Sequence, residues 1–115
     1  MIVKYVRERG YQGEGKDPNF ELGKSYLVHG VSLLSEGRST MIGIQRDSDR
    51  TPVLIELKYF DVVDSTIPSD WCFFDFKNGC YALEPKEFCG DFWDRFHDGD
   101  EHAEKMFEQV LNKQA

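Results

Sequence analysis

The segment TPVLIELKYFDVVDSTIPSDW, residues 51–71, decides the fold. Side chains on an extended chain alternate between two faces. One face of this segment is wholly apolar and carries Val53, Ile55, Leu57 and Tyr59. The other face mixes apolar with charged residues and carries Leu54, Glu56, Lys58, Phe60 and Val62. The pattern predicts the central strand of a small sheet, bent near Lys58 to Asp61 and ended by a rigid corner at Pro68, which cannot continue a ladder.

Shorter strand patterns lie on both sides of this segment, at residues 2–6, 25–34, 40–46, 71–76 and 80–83. Gly30, in the middle of one of them, indicates a bulge or a tight bend. Asn78-Gly79 between two aromatic runs is typical of a hairpin, and Ser35–Arg38 is a second hairpin connection. Short strands at about ten-residue intervals predict a bent antiparallel sheet or a small SH3-like barrel.

The connection that contains Gly10, Gly13 and Gly15 is predicted to be a plain loop. A phosphate-binding loop needs a strand before it, a helix after it and usually a Lys-Ser/Thr pair, whereas Phe20 to Leu22 and a second strand pattern follow this loop. No internal repeat and no linker divides the chain. The sequence therefore predicts one domain over residues 1–115.

The clearest helical pattern begins after Asp98. Apolar residues recur at helical spacing, at Ala103, Met106, Phe107, Val110 and Leu111. Asp98 and Glu101 have the spacing of a capping box, which places the start of the helix there. The predicted class is therefore α+β, mainly antiparallel β, with a C-terminal helix packed on the sheet.

The charge of the chain limits its partners. Its 115 residues carry a formal net charge of −7, and 40% of them are hydrophobic. A duplex nucleic-acid binder needs clustered Lys and Arg, so direct nucleic-acid binding is not predicted. A negative field attracts a basic partner, although acidity also serves solubility alone. The charged N-terminus and the lack of a long apolar run predict a cytoplasmic protein without a membrane partner.

Cysteine and histidine spacing gives little sign of a reactive or metal site. Cys72, Cys80 and Cys89 include no CxxC pair, and an odd count suits a reducing cytoplasm. Cys72 and Cys80 lie in aromatic strands and are predicted to be small buried side chains, which leaves Cys89 as the candidate nucleophile. His97 and His102 diverge by about 140° on a helix, so no metal site and no cofactor are predicted.

Residues 84–104 hold eight acids against two bases, a net charge of −6. Aromatic residues are interleaved with them: Phe92 and Phe96 are predicted to be core, and Trp93 to be either core or contact surface. Carboxylates around aromatic anchors favour the binding of a basic protein. The predicted partner-binding residues are Glu87, Asp91, Trp93, Asp94, Asp98, Asp100 and Glu101.

Three stretches carry a resemblance to a known class: ELGKSYLV (residues 21–28), FDVVDSTIPSDW (60–71) and FWDRF (92–96) before a short helix. With its acidic, strand-rich character, the chain resembles small bacterial immunity proteins of contact-dependent growth inhibition and other polymorphic toxin systems. The resemblance implies a non-enzymatic antitoxin that binds one cognate toxin and blocks its active site. Such toxins are frequently nucleases with basic clefts. Because each pair evolves its own interface, the resemblance implies no particular binding residue.

Two further function classes stay open at this stage. One is a small cytosolic enzyme that uses Cys89 or a pair of carboxylates. The other is a generic protein-interaction module unrelated to toxins. The sequence does not predict an oligomeric state.

Overall fold

The computed structural model describes residues 1–10, 17–34 and 37–114. In that part of the chain, eight antiparallel strands form two sheets, and a helix follows them at the C-terminus. The predicted class, α+β and mainly antiparallel β, is confirmed. The sheets do not close into a barrel, so the bent-sheet alternative is the one observed. None of the described helices is long and apolar enough to cross a membrane.

The strands are short. In chain order they are β1 Ile2–Tyr5, β2 Ser25–Leu27, β3 Gly30–Leu33, β4 Met41–Gln45, β5 Pro52–Glu56, β6 Phe60–Asp64, β7 Trp71–Asp75 and β8 Tyr81–Pro85. The small sheet has the order β2-β1-β6, and the large sheet has the order β5-β4-β3-β8-β7. The helices are α1 (Phe92–His97) and α2 (Glu101–Gln114), and 3₁₀ turns span Leu57–Tyr59 and Lys86–Phe88.

The segment 51–71 does not form a central strand. It forms β5 and β6, which lie at the edges of two different sheets and are joined by the 3₁₀ turn Leu57–Tyr59. The bend is therefore close to its predicted place, but the single strand was wrong. Because the turn changes the orientation of the chain, Ile55 and Phe60 both point into the core, although alternation placed them on opposite faces.

A second predicted strand, residues 25–34, is also divided between the sheets. β2 belongs to the small sheet and β3 to the large one, and Gly30 lies just after the break. The main core fills the space where the sheets meet, and its buried residues are Val3, Tyr5, Phe20, Tyr26, Val28, Ile42, Ile44, Ile55, Phe60 and Trp71. Each of the two divided segments, residues 25–34 and 51–71, passes from one sheet to the other beside this core.

The predicted turns fall partly outside the described residues. The connection at Gly13 and Gly15 and the turn residues Ser35 and Glu36 lie there. The hairpin at Asn78-Gly79 is confirmed, because it joins the paired strands β7 and β8.

The apolar stripe of α2 is confirmed. Ala103, Phe107 and Val110 are buried with Phe88 and Phe92 in a second core, against which Met106 and Leu111 pack. The predicted start of the helix was wrong, because a separate helix, α1, precedes it and ends near Asp98.

Asp100, not Asp98, caps α2. Its Oδ1 accepts a hydrogen bond of 2.9 Å from the backbone N–H of His102. The backbone N–H of Asp98 donates instead to the carbonyl of Asp94, within the last turn of α1. Gly99, with a φ of +83°, then ends α1 in the left-handed conformation that glycine adopts without steric cost.

The prediction for Cys72 was also wrong. Cys72 is exposed and Cys80 is half-buried. β7 is an edge strand of the large sheet, and its neighbouring residues Cys72 and Phe73 are both exposed. Strand propensity alone does not tell an edge strand from a covered one.

Replacing Phe107 by Ala tests the second core. Phe107 is 3% exposed and contacts Phe88, Phe96 and Trp93. We expect the free energy of unfolding in urea to fall by about 3–5 kcal/mol, because the change removes a buried ring and leaves a cavity. Gln109→Ala, at an exposed position of α2, is the matched control and should change it by less than about 0.5 kcal/mol. Equal urea midpoints for the two variants would show that α2 is not packed through Phe107.

Candidate functional site

A cavity of about 340 Å³ lies between the large sheet and α1. Its floor is formed by small residues of three central strands, Gly30, Ser32, Gly43 and Ala82. Gly30 and Gly43 are direct cross-strand partners, so two adjacent strands lack side chains at the same point. The cavity therefore lies over four small residues on one face of the sheet.

The walls of the cavity differ in character. α1 contributes Trp93 and His97, and the outer strands contribute Pro52, Val53 and Leu54. Phe76, just after β7, lies on the other side. Leu54 is 57% exposed and Phe76 is 56% exposed, so apolar side chains reach water at the edge of the cavity.

His29 forms the inner wall. It lies between β2 and β3 and is 3% exposed, and its ring nitrogens make no hydrogen bond of good geometry in the described part of the protein, although backbone groups of His29 and Ile44 lie close enough to interact with the ring. Its ring centroid lies 5.3 Å from that of Phe107 and 5.7 Å from that of Trp93. Burial lowers the pKa of His29 to about 4, which nearby backbone groups of His29 and Ile44 only partly oppose. The imidazole is therefore neutral at neutral pH.

Gly43 is required beneath the His29 ring. A Cβ atom built on Gly43 would lie 2.5 Å from Cε1 and 2.8 Å from Nδ1 of His29. Such distances are well inside van der Waals contact, so any side chain would displace the ring. The close approach of the ring explains the glycine at this position.

Glu84 is the acidic group of the cavity. It is half-buried on β8, and burial raises its pKa to about 7, opposed by the indole N–H of Trp93, which favours the charged carboxylate. No Lys or Arg in the described residues forms an ion pair with it. The Glu84 carboxyl therefore changes its charge near neutral pH. Among the described residues that line the cavity there is no second carboxyl, so no catalytic carboxylate pair is assembled from them.

The predicted acidic residues lie mainly around α1. Asp94 and Asp98 are exposed, and no described side chain forms an ion pair with either. Asp91 and Asp100 both contact Arg95, at 3.1 and 3.4 Å. The backbone N–H of His102, with help from Arg95, lowers the pKa of Asp100. The structure thus brings four of the predicted carboxylates together on one end of the helical layer.

The other three predicted residues have different environments. Glu101 is exposed at the start of α2. Glu87 is half-buried in the second 3₁₀ turn, and its Oε1 is buried without a described hydrogen-bond partner, so it does not join the exposed acids. Trp93 packs against the second core, with ring contacts to Phe88, Phe92, Phe96, His97 and Phe107, and also lines the cavity.

The residues predicted for other chemistry are not assembled into a site in the described ranges. Cys89 is exposed just before α1, and no described side chain forms a hydrogen bond with its thiol. Activation of a nucleophilic thiol needs such a base. Over residues 1–10, 17–34 and 37–114, no group of three or more His, Cys, Asp or Glu side chains could hold a metal ion.

Sequence reasoning did not select His29 or Glu84. The available signal was the pair Gly30 and Gly43, because glycine inside a strand often marks a close approach of other atoms. Comparison of the chain with protein-family models, curated proteins and solved structures finds no match.

Glu84→Gln tests the raised pKa of Glu84. Between pH 4.5 and about 7 the folded protein holds a proton that the unfolded chain has lost, so this group makes stability fall as pH rises through that window. Between pH 4 and 6.5, His29 makes stability rise with pH, because the unfolded chain holds a proton that the folded protein has lost. This contribution is the same in wild type and variant, so it cancels in their difference. We therefore expect the stability of the variant relative to wild type to increase from pH 4.5 to 7 and then to level off.

Urea unfolding at pH 5, 6 and 8 measures this difference. Glu108→Gln, on the exposed side of α2, controls for the loss of one carboxylate. A stability difference that stays constant over this pH range would contradict the assignment of Glu84.

Proposed function

We propose that this protein is an immunity protein, an antitoxin that binds a basic bacterial toxin domain, a nuclease, and blocks its active site without catalysing a reaction itself. The observation that carries the proposal is the exposed, unpaired acidity of α1, at Asp94 and Asp98, in the described part of the chain. We propose that the protein acts in the cytoplasm, where an antitoxin must meet its toxin.

Long-range electrostatics supports this role. The protein has a net charge of −7, and residues 84–104 contribute −6 of it. Exposed charges act over about 8–10 Å at physiological ionic strength and increase the rate of encounter with a basic partner. A nuclease holds phosphate through Lys and Arg side chains, so a cluster of carboxylates is a suitable competitor for the same groups.

Exposed apolar side chains beside the cavity supply affinity for a partner that charge alone does not give. Leu54 and Phe76 are exposed beside the cavity, of which Trp93 and His97 form the α1 side. Interfaces combine a central apolar contact with a polar rim. Because Trp93 is packed among other aromatic rings, we propose Leu54 and Phe76 as the main apolar anchors, with Trp93 supporting them.

Charge reversal on α1 tests the proposal. We expect the double variant Asp94→Lys, Asp98→Lys to associate at least about tenfold more slowly with the candidate toxin, the product of the gene beside its own, with a smaller change in dissociation. The measurement is surface-based binding kinetics at low and at physiological salt. The control variant Asp61→Lys, Glu108→Lys makes the same change of charge on other exposed surfaces.

Protection of cells that express the toxin gene is the second readout. An NMR spectrum of the backbone amides first shows that each variant is folded. If the charge-reversed variant associates at the wild-type rate and still protects the cells, the interface lies elsewhere on the protein. Failure of the wild-type protein to bind the toxin would overturn the immunity role itself.

A further inference from the structure

The cavity beside α1 has an unusual balance of charge. Among the described residues that line the cavity, Glu84 is the one acidic group and none is Lys or Arg. His29 is held neutral by burial, and His97 is exposed at the edge. The carboxyl of Glu84 therefore faces an apolar space without a cationic partner from the described chain.

We propose that this cavity binds an organic monocation, a primary ammonium or guanidinium group carried on a short unbranched apolar stem. The cationic group contacts the Glu84 carboxylate, beside the indole N–H of Trp93. The stem lies over the small residues of the floor, beside Gly30 and Ser32. The inference is independent of the immunity role.

The chemistry of the cavity favours a cation over an anion. Burying a carboxylate is costly unless a cationic or hydrogen-bonding partner accompanies it. The raised pKa of Glu84 reflects that cost, and a bound cation would lower it again. An anion would meet the same carboxylate with no basic side chain to offset it.

The dimensions of the cavity favour a small ligand. A volume of about 340 Å³ is near the lower end of the range for small-molecule sites, which is about 300–1,000 Å³. The floor of glycine, serine and alanine offers no bulky group to clash with a flexible stem. Gly30 brings the backbone close to Glu84, since a Cβ atom there would lie 3.2 Å from Glu84 Oε2. These features suit an alkyl chain that ends in one charged group.

The same chemistry has two sources, a free amine or the side chain of a Lys or Arg residue in a protein. Three probes distinguish them: n-butylammonium, N-acetyl-lysine methylamide and the neutral n-butanol. The measurement is an NMR titration that follows the indole N–H of Trp93, with Trp71 as the internal reference because it belongs to the main core. We expect n-butylammonium to bind with a dissociation constant on the order of 1 mM, and n-butanol at least about tenfold more weakly.

If the lysine amide binds as well as n-butylammonium, the site accepts a protein side chain. If only n-butylammonium binds, the site is one for free amines. Equal binding of n-butanol, or no binding of either cation, would overturn the proposal.

Variants identify the residues that bind the cation. Glu84→Gln keeps the shape of the side chain and should weaken n-butylammonium binding at least about tenfold. Glu108→Gln removes a carboxylate far along α2 and should leave binding unchanged. Ser32→Leu fills the floor of the cavity and should abolish binding although Glu84 is intact. Retained affinity in a folded Glu84→Gln protein would show that the carboxyl does not hold the cation.

Discussion

The contact between the His29 ring and Gly43 joins the large sheet of this protein to its helical layer. The ring rests on the large sheet where Gly43 has no side chain, and its other side meets Phe107 and Trp93 of the helical layer. A charged imidazole would be costly there, because its ring nitrogens make no hydrogen bond of good geometry in the described part of the protein. Burial therefore keeps the ring neutral, and a neutral ring lets the sheet and the helices pack together.

The position of α1 follows from this contact between the large sheet and the helices, and it determines both proposed functions. Trp93 packs on the second core and beside His29, so α1 is held over the small-residue face of the large sheet. The space that remains beneath it is the cavity. The neighbouring face of α1, turned by about 100° from Trp93 and His97, carries Asp94 and leads to Asp98, and both residues are exposed to water. One short helix thus separates an apolar cavity from an acidic surface, and each side has a chemistry that suits basic groups.

The sequence predicts the local elements of this fold better than their arrangement. The apolar stripe of α2 and the hairpin at Asn78-Gly79 follow from periodicity and turn chemistry, which act over a few residues. The division of residues 51–71 between two sheets depends on distant strands, so local alternation does not show it. At Asp98, two possible caps lie two residues apart, and the left-handed Gly99 decides between them. The acids of α1 were found from composition, whereas Glu84 is unusual only because tertiary packing buries it.

The protonation state of His29 tests the central claim most directly. Two-dimensional ¹⁵N correlation spectra of the histidine rings, recorded from pH 8 down to the limit of folding, report which nitrogens carry protons. If His29 joins the sheet to the helices as a buried neutral ring, its signals keep the neutral pattern at pH 5 and titrate only near pH 4. Titration of His29 at its ordinary pKa of 6.5 would show that water reaches the ring, and it would contradict this account of the joint.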